Sequence, residues 1–181
     1  MKTALCLFAF LIVSSMAIAS HADVRSDAQA VTVDEVLAMM KAVPEKAHPS
    51  RPGRYDQVGD AQEIARGIAM VAPQKDTAAL LAVFAAYESS NQKCVGGDKN
   101  AAGEFQSWGT FQLRGVSMDT ACNPELAAAY WLKLKAQAEA TCAENPIDDR
   151  LAPLTGGSCE RGRAVSRTRH RIARTVAAAV P

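Results

Sequence analysis

Residues 78–90 read AALLAVFAAYESS, and this stretch decides the fold. All ten residues from Ala78 to Tyr87 are apolar, and the run ends on one carboxylate, Glu88. A helix that is apolar all round belongs in the centre of a domain. Pro73 closes the segment before it, and Asp76 or Thr77 is the expected cap of the helix that runs from Ala78 towards Glu88.

The flanking segments supply the shell. Thr32-Val33-Asp34-Glu35 predicts the start of a short helix carrying Val36, Leu37, Met39 and Met40. Residues 44–60 hold three prolines and two glycines and read as a loop. Ile64, Ala65, Ile68 and Val71 fall at helical spacing within 61–71. Asn123-Pro124-Glu125 joins an N-cap, a proline at the first helical position and an acid at the positive dipole end. That helix carries Ala127, Trp131, Leu134, Ala138 and Cys142 on one stripe, with Trp131 read as core. A last helix is expected to turn Val165, Ile172 and Val176 inward and its arginines to solvent. Residues 89–122 form a loop region with five of the eleven glycines, with a weak strand signal near 105–113. The expected fold class is mainly α, in a single domain.

The N-terminus reads as an export signal. Lys2 precedes a nearly unbroken apolar run from Ala4 to Ile18, and small residues follow at candidate cleavage sites. Cleavage after Ala22 would discard Cys6 and leave equal numbers of acidic and basic residues. A neutral chain argues against nonspecific nucleic-acid binding. Four cysteines remain, Cys94, Cys122, Cys142 and Cys159, which in an exported protein reads as two disulfides. Three pairings are possible and sequence alone does not select one. The expectation taken forward is Cys94–Cys122 with Cys142–Cys159, each joining neighbouring elements.

Glu88 is the residue with chemistry attached. Burial disfavours the charged carboxylate, and so does the negative end of a helix dipole. Both favour the protonated form that a general acid needs, such as one that protonates a glycosidic oxygen. The plain alternative is a helix-terminal glutamate that meets solvent. No metal signature, P-loop or G-x-S-x-G element occurs, and neither cofactor nor metal is expected.

The order Glu88-Ser89, Gly97-Asp98 and Gly109-Thr110-Phe111-Gln112 resembles the lysozyme-like superfamily, especially goose-type lysozymes and lytic transglycosylases. The resemblance covers roughly residues 61–174. It implies a lysozyme-like domain whose glycine-rich loop region lines the active site. The organisation is then a signal peptide over 1–22, an N-terminal helix and loop extension over 23–60, and a catalytic domain over 61–181. It implies peptidoglycan glycan strands as the partner, cleaved between N-acetylmuramic acid and N-acetylglucosamine by a secreted or periplasmic monomer with no stable membrane anchor.

By the same resemblance Glu88 is the catalytic acid. Gly109 to Gln112 line the floor of the sugar groove, and Ser89 beside the acid is a further substrate-binding residue. Asp98 matches a second carboxylate able to hold water for inverting hydrolysis, or else is an ordinary loop aspartate. Without it, Glu88 would act alone, first as acid and then as base on the muramyl 6-hydroxyl. Phe105, Trp108 and Phe111 would stack on sugars or anchor small cores. Many lytic transglycosylases carry an aromatic-Asn-x-Gly element where this chain has Leu154-Thr155-Gly156-Gly157. The glycine turn is kept, and Thr155 would replace part of the polar contact.

Overall fold

Helix α3, Lys75–Ser89, forms the centre of the computed structural model, which describes residues 30–43 and 58–181. The expected signal peptide at 1–22 and residues 44–57 of the expected loop lie outside the described residues. Every side chain from Ala78 to Ala86 is at most 4 % exposed. Full burial of a side chain such as Leu81 or Phe84 contributes about 1.5–3 kcal/mol. The helix starts earlier than expected: Gln74 is its N-cap, with no side-chain cap, and Asp76 lies in the first turn beside the positive dipole end.

Two earlier helices pack on α3, as does the last helix of the chain. Helix α1, Val33–Ala42, opens with a capping box, in which Thr32 Oγ1 accepts from the Glu35 N–H and the Glu35 carboxylate accepts from the Thr32 N–H. Its Val36, Met39 and Met40 are buried in the same core as α3, so this part of the 23–60 segment packs with the rest. Helix α2, Val58–Val71, crosses the start of a later helix so closely that a Cβ on Gly67 would lie 2.6 Å from the Pro124 and Glu125 backbone. The short helix α4, Met118–Cys122, precedes that crossing. The crossed helix is α5, Pro124–Thr141, capped as expected by the Asn123 side chain. The expected strand near 105–113 is replaced by isolated antiparallel bridges, Gly96 to Trp108, Lys99 to Phe105 and Trp108 to Leu113. The chain turns too often there to sustain a ladder.

Both disulfides have the expected pairing. Cys94–Cys122 ties the start of the loop to α4, and Cys142–Cys159 ties the end of α5 to the segment before the last helix. Closing 28 and 17 residues, they stabilise by about 3–4 kcal/mol each on the chain-entropy model.

The C-terminal part differs most from expectation. A 3-10 turn at Ile147–Asp149 and a short helix α6, Ala152–Gly156, lead into α7, Arg163–Ala179. Val165 is exposed, whereas Ser166, Arg169, Ala173, Val176 and Ala177 are buried. The arginines are not simply a solvated face. Arg174 grips Asp148 with two bonds of 2.7 and 2.9 Å, and Arg167 does the same to Asp149 at 2.5 and 2.7 Å. These guanidinium groups hold both carboxyls below the usual aspartate range.

His170 lies mostly buried on the same face of α7 as Arg167 and Arg174, its Nδ1 4.0 Å from Asp148 Oδ1. Burial disfavours its protonation more than Asp148 favours it, so its pKa lies below the ordinary histidine value. As pH falls below about 6.5, the unfolded chain therefore takes up this proton first and the fold loses stability. The melting temperature is expected to drop between pH 7 and 5, and His170→Gln to flatten that part of the curve. A His170→Gln melting profile parallel to wild type would show that another group governs it.

Candidate active site

Glu88 emerges at the last turn of α3, where the helix stops abruptly. Ser90 and Asn91 both adopt the left-handed backbone region, with φ of 55° and 59°, and their N–H groups donate to the Ala86 and Ala85 carbonyls. Such conformations cost about 1–3 kcal/mol each in a non-glycine residue. They turn the chain away at once and leave Glu88 at the helix end. Gln112, with φ 49°, is the third such residue, in the loop across from it.

A groove of about 830 Å³ opens over Glu88. Phe84 and Glu88 of α3 line it, with Trp131 and Leu134 of α5. The loop contributes Gly97, Asp98, Phe111 and Gln112, and α6 contributes Pro153 to Gly156. Residues far apart in sequence are thus brought to one cleft. Phe111 is 5 % exposed and packs against Trp131 at a ring-centroid distance of 6.1 Å, so it is both core and groove floor.

Several other expected residues lie beneath the groove or away from it. Ser89 is fully buried: its hydroxyl donates to the Ala85 carbonyl and accepts from the Gln92 N–H. Thr110 is also fully buried, its hydroxyl 3.3 Å from the Gln92 carbonyl. Gly109 has φ 78°, and a Cβ there would lie 1.8 Å from the Ala121 carbonyl oxygen. Its missing side chain admits the backbone of α4, where the resemblance implied a glycan. Thr155 does line the groove, but its hydroxyl is within hydrogen-bond distance of the Ala152 and Gly162 carbonyls, which joins α6 to α7. Phe105 and Trp108 pack edge to face at 5.1 Å, outside the groove lining, and Phe105 covers Gly96.

Gln112 organises the loop. Its amide nitrogen donates to the Val95 and Gly109 carbonyls, and its oxygen accepts from the Ser107 hydroxyl. A Cβ on Gly97 would collide with that oxygen, so glycine at 97 makes room for the Gln112 side chain. Asp98 then stands at the rim, its side chain 70 % exposed and ion-paired with Arg114. A pair this exposed is worth little in water. It leaves Asp98 at the mouth of the groove with a cation already attached.

Glu88 has a partner that the sequence reading did not assign. Arg169 Nη1 of α7 lies 2.5 Å from Glu88 Oε1. Arg169 is 7 % exposed, and its guanidinium carbon sits 4.3 Å from the Phe84 ring centroid and 5.1 Å from that of Tyr87. The signal was present in the spacing: Val165, Arg169, Ile172 and Val176 recur every three or four residues, so Arg169 lies on the stripe expected to face inward. Composition hid it among five neighbouring arginines. Among the described residues, no group of three or more His, Cys, Asp or Glu is placed to hold a metal ion.

The chain matches no family model, no curated protein and no solved structure. The class of site therefore rests on geometry: an acid at the end of a buried helix, facing a groove walled by a glycine-rich loop and two later helices.

Proposed function

We propose that this chain is an exported enzyme that cleaves peptidoglycan glycan strands at the bond between N-acetylmuramic acid and N-acetylglucosamine, with Glu88 as general acid and then base. The observation that carries this reading is the carboxyl of Glu88 at the end of α3, 24 % exposed and lining an open groove. From there it protonates the glycosidic oxygen as the bond to the sugar carbon breaks. As the carboxylate, it then takes a proton from the incoming oxygen. Asp98 is exposed and paired at the rim, which favours the single-acid route of a lytic transglycosylase. In that route the muramyl 6-hydroxyl is the incoming oxygen. Two disulfides suit an oxidising, extracytoplasmic compartment. No described helix is long and apolar enough to cross a membrane.

One observation favours a second reading. Glu88 is the counter-ion of a buried arginine, a role that requires no catalysis, as in a silent glycan-binding or structural envelope domain. Digestion of purified peptidoglycan in heavy-oxygen water, with products identified by mass, separates the outcomes. The expected product carries 1,6-anhydromuramyl ends. Heavy oxygen in free reducing ends would make the enzyme a hydrolytic lysozyme and Asp98 its best-placed base. Retention of glycan strands without cleavage would establish the silent domain.

A further inference from the structure

We propose that Arg169 is a positioning residue for Glu88, fixing which carboxyl oxygen delivers the proton; this role rests on the proposed glycan cleavage. Phe84 and Glu88 are four residues apart on α3 and share one face. The guanidinium of Arg169 spans that face, stacked over Phe84 and bonded to Glu88 Oε1. It comes from a helix 81 residues later in the chain and is itself held by burial between α3 and α7.

Stability alone does not account for this arrangement. A buried ion pair is often no more stable than apolar residues of the same volume. Arg169 also leaves its Nε buried without a hydrogen-bond partner, which adds to the cost. What the pair does supply is direction. Guanidinium has donors and no acceptor, so Oε1 can only accept from it. In the protonated form of Glu88 that acts as the acid, the transferable proton must then sit on Oε2. When the glycosidic bond breaks, its electron pair stays on the leaving oxygen and the Oε2 proton goes to that oxygen. Arg169 stabilises the carboxylate left behind, a charge that develops as the bond breaks. Oε2 then recovers a proton from the oxygen that bonds to the sugar carbon, and the cycle closes with no other reactant.

The test is steady-state kinetics on soluble peptidoglycan fragments with the whole secreted chain. Arg169→Lys keeps the charge and removes the planar fork. It is expected to lower kcat about tenfold or more with KM nearly unchanged, because a misaimed proton affects the transition state and not binding. Arg169→Ala is expected to lose about a hundredfold, and millimolar guanidinium chloride to restore part of that rate. Wild-type kcat in Arg169→Lys would overturn the role, as would a folded Arg169→Ala that guanidinium does not rescue. If Arg169→Ala does not fold, the lysine variant decides. Failure of the wild type to cleave, by contrast, removes the proposed reaction and this role together, and so is distinguishable from failure of the positioning role alone.

Discussion

Glu88→Gln is expected to reduce peptidoglycan cleavage by about 10²–10⁴-fold, the range that a positioned general acid contributes. Glutamine keeps the volume at the end of α3 and can still accept a hydrogen bond from Arg169. It cannot give up a proton to the glycosidic oxygen. The variant also leaves the Arg169 charge without its counter-ion in a site that is 7 % exposed. A stability loss of about 1–3 kcal/mol should therefore accompany the loss of rate. The ion pair with Arg169 is the reason that stability falls along with rate. Turnover is measured by release of soluble fragments, and stability by thermal melting under the same conditions. Wild-type turnover in Glu88→Gln would end the catalytic assignment, whereas a lowered melting temperature with intact turnover would leave Glu88 a structural counter-ion.

Gly109→Ala is expected to destabilise the fold by about 2–5 kcal/mol. Two independent costs combine there. The backbone at φ 78° disfavours any residue with a side chain, by about 1–2 kcal/mol. The added methyl would also lie 1.8 Å from the Ala121 carbonyl oxygen, a backbone atom that moves only if α4 moves. Overpacking of this kind costs about 1–3 kcal/mol. Because α4 is tied to the loop by Cys94–Cys122, the strain cannot be relieved by letting the two segments separate. Chemical denaturation of Gly109→Ala against wild type measures the effect. A glycine kept only for close approach of a sugar would give a raised KM with an unchanged denaturation midpoint, and that result would restore the groove-floor reading of Gly109.

The sequence by itself determined the parts governed by local spacing. The unbroken apolar run from Ala78 to Tyr87 made α3 central, because such a helix has no face to offer water. Asn123-Pro124-Glu125 set the start of α5 through orphan backbone donors that only a cap and a proline accommodate together. The even cysteine count gave two disulfides but left three pairings open, and the packing of neighbouring elements selects Cys94–Cys122 and Cys142–Cys159. Tertiary structure alone decided what these elements place opposite one another. Spacing along α7 could put Arg169 on an inward stripe, but only the packing of α7 on α3 brings it to Glu88, 81 residues earlier. Ser89, Thr110 and Thr155 look alike in sequence to hydroxyls available for a ligand. Which backbone groups they satisfy depends on where Gln92, Ala85, Ala152 and Gly162 come to lie. A hydrogen bond or ion pair is decided by distances of a few ångströms between remote segments, and local periodicity carries no record of those distances.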